Sequence, residues 1–260
     1  MSTVLILGGT AEARALAAEL VPLGRRVVSS LAGRVTNPRL PVGEVREGGF
    51  GGSAGLAAWM LSEGVDTLVD ATHPFAERMS AAAAEASART GIPLLMLRRP
   101  GWHEGPGDHW HRVPTLQAAA TTLTRPQPTT AVGSREPERG KAGMRVFLTT
   151  GRRSLPVFAG LSGVWILARS VDPPEPPVPG NVRVLLDRGP YTVEGERALL
   201  REHRIGVLVT KDSGGPMTTA KLVAARELGV PVVMVDRPQP PPGVRLAESV
   251  GEAVAWVQAG

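Results

Sequence analysis

Short apolar runs alternate along the chain with longer segments in which apolar residues recur every three or four positions. The run Val4–Leu7 ends at Gly8, and Ala11–Leu20 follows it with apolar residues at helical spacing. A short continuous apolar run is typical of a buried strand, whereas the longer period is typical of an amphipathic helix. Strands that alternate with helices in this way predict a parallel sheet with helices on both faces.

The strand–helix alternation occurs twice along the chain. In the first half it predicts strands at 4–7, 27–28, 44–46, 67–70 and 94–97, and helices at 11–20, 56–61 and 75–89. In the second half it predicts strands at 146–148, 164–168, 182–186, 207–209 and 232–235, and helices at 154–161, 193–204, 216–228 and 248–257. The polar, Pro-containing segment 124–143 separates the halves, and a short crossing strand near 131–132 is an alternative interpretation of it.

The two halves predict an α/β fold of two Rossmann-like lobes, each with a parallel sheet, and an inter-lobe cleft that binds ligands. We expect the first lobe to comprise residues 1–130 and the second to comprise residues 131–260. A length of 260 residues suits one large or two small domains. No apolar run approaches the roughly 20 residues of a membrane span, and the N-terminus lacks a signal-peptide pattern, so we expect a cytoplasmic protein.

Composition excludes several kinds of site. Because the chain has no Cys, disulfides, thiolate metal ligands and a cysteine nucleophile are excluded. The pair His109 and His111 has no acidic cluster beside it, so we expect no metal site. The formal net charge is +5, yet the Arg residues are dispersed and only 4% of residues are aromatic. We therefore expect neither nucleic acid nor a membrane as partner, and the basic balance favours a polyanionic small molecule.

A glycine turn follows the first predicted strand and opens the first predicted helix. Gly8, Gly9 and Thr10 form the turn, and Ala13 takes the place of a third glycine. Backbone N–H groups at such a helix start bind phosphate, which makes the turn a candidate dinucleotide site. The alternative is an ordinary tight turn in which Thr10 only caps the helix.

The end of the second predicted strand bears on the choice of cofactor. An NAD site usually has Asp or Glu there, whereas this chain has Ser30 and then Arg34. A hydroxyl and a guanidinium suit a 2′-phosphate, which favours NADP, although Arg34 could instead be a solvated loop residue. The glycine-rich segment Gly48–Gly52 is expected to lie over the cofactor, with a flexible linker as the alternative.

Two further polar segments lie at the carboxyl ends of predicted strands. Thr72 and His73 follow the fourth strand, where His73 could donate a proton or simply cap the next helix. The segment Lys211–Gly215 follows a strand of the second half, with Thr218 and Lys221 just beyond it. Two of the three Lys residues of the chain lie here, so an anion site for substrate carboxylates is favoured over a plain surface turn.

Eight segments spread over nearly the whole chain resemble the precorrin-6A reductase family of cobalamin biosynthesis. The most specific are Asp70–Ala76 and Gly48–Gly52. The other segments that carry the resemblance are Ile6–Arg14, Ser30–Arg34, Arg99–Trp102, Thr149–Gly151, Asp187–Tyr191 and Lys211–Gly215. The linker at Arg135–Gly143 and the prolines near Pro174 depart from the family pattern.

The resemblance implies NADPH-dependent reduction of the C18=C19 double bond of precorrin-6A to give precorrin-6B, with no flavin or metal. A variant of the family acts on the cobalt-containing precorrin of the anaerobic pathway, and the sequence does not separate the two. The implied partner is a small-molecule tetrapyrrole, with transfer of substrate and product between neighbouring pathway enzymes as a further expectation. The alternative from another class is a non-catalytic two-lobed receptor for a nucleotide-like regulator.

The motifs and the resemblance together assign the candidate residues to three roles. The expected cofactor-binding residues are Gly8, Gly9, Thr10, Glu12, Ala13, Ser30, Arg34, Gly49, Phe50 and Thr72, all in the NADPH-binding first lobe. The expected substrate-binding residues are Arg152, Arg153, Tyr191, Lys211, Ser213, Gly214, Gly215 and Thr218. The candidate catalytic residues are His73, Lys211 and Asp212, with Tyr191 as a further candidate proton donor.

Overall fold

The computed structural model describes residues 2–33, 39–124 and 143–260. Over these ranges the chain forms two sheets of six strands each, in which neighbouring strands run parallel. Helices connect the strands, so the predicted α/β class with two parallel sheets is confirmed. None of the helices in the described ranges is long and apolar enough to cross a membrane.

The elements follow one another in this order. The first part of the chain contains β1 (Thr3–Leu7), α1 (Ala11–Leu20), β2 (Arg26–Leu31), β3 (Glu44–Glu47), α2 (Ser53–Ser62), β4 (Thr67–Asp70), α3 (Glu77–Thr90) and β5 (Leu94–Leu97). The middle part contains β6 (Trp110–Val113), α4 (Leu116–Thr124), β7 (Met144–Leu148), α5 (Leu155–Ala159), β8 (Val164–Ser170), β9 (Val182–Leu186), α6 (Val193–Glu202), β10 (Val207–Lys211), α7 (Ala220–Glu227) and β11 (Val232–Val235). The chain ends with β12 (Arg245–Ala247) and α8 (Val250–Ala259).

The division into units differs from the predicted boundary at residue 130. One unit comprises the residues up to Pro100 together with Pro238–Gly260, and the other comprises Gly101–Arg237. The reason lies in strand pairing: β6 pairs with β11, and β12 pairs with β5. The sheet orders are therefore β12-β5-β4-β1-β2-β3 in the first unit and β6-β11-β10-β7-β8-β9 in the second. Each half of the chain thus supplies the last strand of the other half's sheet.

The central strands of the first unit are buried on both faces, as a parallel sheet covered by helices requires. Leu5 and Leu7 of β1 pack with residues of α2 and α3, whereas Val4 and Ile6 pack with residues of α1 and α8. β1 lies between β2 and β4. The carboxyl ends of these three strands therefore lie side by side, and the residues that follow them share one edge of the sheet.

Three elements escaped the sequence prediction. β6 has only one fully buried residue, Val113, and β12 has only Ala247. Such short edge strands carry no continuous apolar run, so the pattern of apolar residues does not reveal them. The helix α4 was also missed, and the alternative strand near 131–132 lies outside the described residues.

Candidate functional site

Hydrogen bonds tie together the turns after β1, β2 and β4 in the first unit. Gly8 N donates to Ser30 O at 2.9 Å, and the Thr10 hydroxyl donates to Ala71 O at 2.8 Å. The same hydroxyl accepts a bond of 3.1 Å from Ala13 N and so caps α1. The first N–H groups of a helix have no partner within the helix, and the Thr10 cap satisfies only that of Ala13, so the groups before it lie at the positive end of α1. The structure therefore brings the predicted phosphate-binding residues together.

At Gly9 the backbone of the turn is accessible to a ligand. Its φ of +108° lies in a region that residues with a side chain rarely adopt, and a Cβ built there would meet nothing within 4 Å. The backbone at Gly9 is thus exposed without a side chain in front of it, as close approach of a ligand phosphate requires.

Glu12 lies in the first turn of α1 and is already paired. Its carboxylate is 2.6 Å from Arg99 Nη1, and both side chains are largely buried. Since Arg99 follows β5, this ion pair holds a guanidinium beside the start of α1. The predicted cofactor-binding residue Glu12 is therefore paired with Arg99, which belongs to one of the segments that resemble the family.

Arg46 on β3 is the basic residue that the structure places beside Ser30. Its Nη1 donates to the Ser30 hydroxyl at 3.0 Å and to Gly48 O at 3.1 Å, and its Nη2 donates to Gly49 O at 3.2 Å. The guanidinium also stacks on the Phe50 ring, with 3.8 Å between Cζ and the ring centroid. Arg34, the residue predicted for this role, lies outside the described residues. Arg46 pairs with Ser30 across β2 and β3, a register that the sequence alone does not reveal.

The residues after β4 form a hydrogen-bonded turn. Asp70 is 1% exposed, and its Oδ1 accepts bonds from Thr72 N at 3.0 Å and from the Thr72 hydroxyl at 2.7 Å. His73 is exposed, and its Nδ1 accepts a bond of 3.2 Å from Phe75 N. His73 thus stabilises the turn before α3 but does not cap the helix, because the N-cap is Ala76 and no side chain makes a cap bond there. The role of His73 in proton transfer remains a prediction.

In the second unit, Asp212 is the centre of an ion-pair network. Its carboxylate accepts bonds from Trp102 N at 2.9 Å, Arg112 Nη2 at 2.8 Å and Arg237 Nη2 at 3.3 Å. Burial alone would raise the pKa of the Asp212 carboxyl, but the hydrogen bonds from Trp102 and Arg112 and the positive charges of Arg237 and Arg112 lower it. Asp212 therefore stays ionised at neutral pH, which disfavours the role of proton donor that we considered for it.

The turn after β10 carries most of the predicted substrate-binding residues. Lys211 is partly buried at the end of the strand, and burial lowers the pKa of its ammonium. Gly214 and Gly215 have φ values of +66° and +74°, and Gly215 O accepts bonds from Trp102 Nε1 at 3.0 Å and the Thr219 hydroxyl at 2.7 Å. Ser213 lies within this turn, and Thr218 lies in the 3₁₀ turn that leads to α7.

Arg152 and Arg153 begin the 3₁₀ turn after β7. Arg152 donates to Pro173 O at 3.2 Å and lies 4.0 Å from the Asp172 carboxylate, whereas Arg153 is exposed. A small concavity lies at the carboxyl ends of β7 and β8, and Arg152 and Arg169 are its charged lining residues. Arg152 is therefore placed to meet an anion at this edge of the sheet.

A buried charged cluster lies next to this concavity. Arg169 makes two hydrogen bonds with Glu196, one of 3.1 Å, and both residues are nearly inaccessible. The Tyr191 ring covers the guanidinium, 3.6 Å from its Cζ, and burial raises the pKa of the phenol. Lys221 on α7 is 4% exposed. Burial, together with the positive charge of Arg169, lowers the pKa of Lys221 to about 7, although Glu196 acts in the opposite direction.

The predicted residues therefore fall into two groups, each at the carboxyl edge of one parallel sheet. The first unit combines a glycine turn, a capped helix and an Arg–Ser pair, and the second unit combines basic residues with glycine turns. Such an architecture is typical of α/β proteins that bind dinucleotides. Among the described residues, no group of three His, Asp or Glu side chains is placed to hold a metal ion.

Comparison with known proteins identifies the family. The family model described as "Precorrin-6x reductase CbiJ/CobK" matches residues 3–258, and the chain belongs to this family. The precorrin-6A reductase of Rhodococcus erythropolis is 52% identical over 99% of this chain and 98% of its own length. A solved structure of the CobK precorrin-6A reductase superposes with a TM-score of 0.88 at 40% identity, covering 100% of this chain and 97% of that one.

A relative named for the cobalt-containing substrate is more distant. The cobalt-precorrin-6A reductase of Priestia megaterium is 31% identical over 91% of this chain and 91% of its own length. The protein is thus an oxidoreductase of cobalamin biosynthesis, as the resemblance predicted. Membership in a reductase family points to a nicotinamide cofactor.

Proposed function

We propose that the protein uses NADPH to reduce the C18=C19 double bond of precorrin-6A, giving precorrin-6B. The observation that carries the proposal is the 52% identity to a precorrin-6A reductase over almost the full length of both chains. The identity of 31% to a reductase of the cobalt-containing precorrin is much lower. The metal-free substrate is therefore favoured over the cobalt complex.

The first unit fits a dinucleotide. The open backbone at Gly9 and the start of α1 suit the pyrophosphate, and the guanidinium of Arg99 lies beside them. At the ends of β2 and β3, the Ser30 hydroxyl and the Arg46 guanidinium offer donors for a 2′-phosphate. β2 ends in Ser30 and Leu31, without the carboxylate that an NAD site usually has at this position, which favours NADPH over NADH.

The second unit fits a polycarboxylate. Lys211, Arg152 and the exposed Arg153 surround the carboxyl edge of its sheet, where the turns at Gly151 and Gly215 leave the backbone accessible. Charge-assisted hydrogen bonds from Lys and Arg to carboxylates are about twice as strong as neutral ones. We therefore assign the tetrapyrrole carboxylates to this edge, with Tyr191, Ser213 and Thr218 as further contacts.

The reduction needs a hydride and a proton. When bound, the reduced nicotinamide supplies the hydride to one carbon of the double bond. The chain then has to place a proton donor near the neighbouring carbon, and Lys211 is the best candidate. Burial lowers the pKa of its ammonium, which moves it toward the working pH of a general acid. Tyr191 is the weaker candidate because burial raises the pKa of its phenol.

The test is direct. Purified protein mixed with NADPH and precorrin-6A is expected to bleach the NADPH absorbance and to produce one equivalent of precorrin-6B per NADPH consumed. A receptor for a nucleotide-like regulator would bind NADPH without oxidising it, so tight binding with no turnover would support that alternative. Equal rates with cobalt-precorrin-6A would contradict the assignment of the metal-free substrate.

Arg46→Gln is expected to weaken NADPH binding by one to two decades and to leave NADH binding almost unchanged. The reason is the loss of a charge-assisted contact to the 2′-phosphate, worth about 1.5–3 kcal/mol. Titration of each cofactor into the variant measures both affinities. Arg245→Gln, which changes an exposed Arg on β12 of the same unit, is the matched control. An equal loss of NADH affinity would show that Arg46 shapes the loop rather than recognising the phosphate.

A further inference from the structure

Lys221 occupies an unusual position for a lysine. Its side chain is buried, and its Nζ lies 4.9 Å from the centroid of the Trp102 ring. The face of the Trp102 ring at this distance favours the ammonium form. Burial nevertheless makes the protonated form of Lys221 costly.

The charges that face Lys221 are unbalanced. Arg169 on β8 and Glu196 on α6 form the neighbouring ion pair, and both act on Lys221 electrostatically. Asp212, at the end of β10, is engaged by Arg112 and Arg237, and Lys211 on the same strand adds positive charge. A protonated Lys221 would therefore make the buried cluster two cations and one carboxylate. The phenol of Tyr191, which covers Arg169, stays neutral because its pKa is raised.

This cluster is connected to the edge that we assign to the substrate. Arg169, whose positive charge acts on Lys221, lines the concavity together with Arg152. The Trp102 ring, which lies 4.9 Å from Lys221 Nζ, donates its Nε1 hydrogen bond to Gly215 O, in the turn after β10. An anion at this edge would supply the negative charge that the cluster lacks, and it would stabilise the ammonium form of Lys221.

We propose that Lys221 is a proton-coupled positioning residue. When the anionic tetrapyrrole docks on the second unit, the neutral amine of Lys221 takes up one proton from solution and becomes an ammonium. The inference rests on the proposed function, since it takes the polycarboxylate as ligand. In this step a proton leaves the buffer acid and binds the Lys221 nitrogen, and no covalent bond of the substrate changes. The uptake belongs to binding and is separate from the proton that enters the product.

The pKa of about 7 supports this coupling. At pH 8 the amine of Lys221 is mostly neutral in the free protein, and a nearby carboxylate raises the pKa of the ammonium. Proton uptake is therefore expected at pH 8 and is expected to vanish at pH 6, where Lys221 already carries its proton. By linkage, the affinity for the substrate falls as the pH rises above about 7, the pKa of Lys221 in the free protein, and becomes constant above its raised pKa in the complex.

The experiment is calorimetric titration of the full-length protein with precorrin-6A in two buffers of different ionisation enthalpy. At pH 8 the difference in binding heat is expected to correspond to nearly one proton taken up per substrate bound, and at pH 6 to almost none. Binding heats that do not depend on the buffer at pH 8 would overturn the inference. Failure of precorrin-6A to bind at all would instead overturn the proposed function, on which the inference rests.

Two variants identify the residue that takes up the proton. Lys221→Arg keeps the positive charge, and the guanidinium stays protonated at every pH tested. Proton uptake at pH 8 is therefore expected to disappear, while substrate binding is retained. Lys221→Met is expected to abolish the uptake and to weaken binding by about tenfold, a typical coupling between two sites. Lys211→Arg is the matched variant, because Lys211 is the other partly buried lysine of this unit. Loss of the uptake in Lys211→Arg and its retention in both Lys221 variants would overturn the assignment.

Discussion

Gly55→Ala is expected to destabilise the first unit and to abolish tight NADPH binding. A Cβ at Gly55, in the first turn of α2, would lie 1.7 Å from Phe50 O and 2.9 Å from the Phe50 carbonyl carbon. Both are backbone atoms, so either the segment 48–52 or the start of α2 has to move. Overpacking of this kind costs about 1–3 kcal/mol and occasionally more. Denaturant unfolding and NADPH titration measure the two effects.

The displacement reaches the cofactor site through Phe50. The Phe50 ring stacks on the Arg46 guanidinium and lies edge-on to Trp59, with 5.5 Å between the ring centroids. Gly251→Ala on α8 is the matched control, because a Cβ there meets nothing within 4 Å. The free energy of unfolding of that variant is expected to rise by about 0.5–1 kcal/mol. Its NADPH affinity is expected to be unchanged. Unchanged NADPH affinity in folded Gly55→Ala would show that the segment 48–52 does not contact the cofactor.

The sequence sufficed for most strands of each sheet. The inner strands 67–70, 94–97 and 232–235, the edge strand 182–186 and the helix 11–20 were predicted with the bounds that the structure has. Buried parallel strands are continuous apolar runs in the sequence, and a capping residue marks the start of a helix. Local pattern and tertiary structure therefore agree at these elements.

The exchange of β6 and β12 between the sheets could not be predicted in the same way. Each strand has a single buried residue, and its partner is more than a hundred residues away along the chain. Pairing at that distance is decided by tertiary packing, which a pattern of apolar and polar positions does not encode. The boundary at residue 130 was wrong for this reason: it assumed that each half of the chain builds its own sheet.

The candidate site shows the same limit. Glycine turns and strand-end polar residues were recognisable because their chemistry depends on local sequence, as at Gly9 and Ser30. The role of Arg46 depends on the register between β2 and β3, and that of Asp212 on two arginines 100 and 25 residues away. Lys221 was noticed as a scarce lysine, but its burial follows from packing of α7 on Trp102 and could not be read from the chain.

Glu196→Gln is expected to lower the free energy of unfolding of the second unit by about 3–5 kcal/mol, the usual cost of breaking a buried ion pair. Glu196 is the carboxylate that faces Arg169, and both side chains are at most 5% exposed. The amide is nearly isosteric, so the loss reports the missing charge rather than a cavity. Denaturant unfolding at pH 7 measures the change, and the loss is expected to be larger at pH 6, where Lys221 is protonated beside Arg169.

The neighbouring helix positions supply the control. Arg197 and Glu227 form an exposed ion pair between α6 and α7, with side chains 30% and 41% exposed. Glu227→Gln is expected to change the free energy of unfolding by only about 0.2–1 kcal/mol, because solvent screens the pair. At pH 6, adding Lys221→Met to Glu196→Gln is expected to restore part of the lost stability, since it removes one of the two buried cations. Equal losses in the two glutamine variants, or no recovery in the double variant, would show that the buried cluster is not held together by its charges.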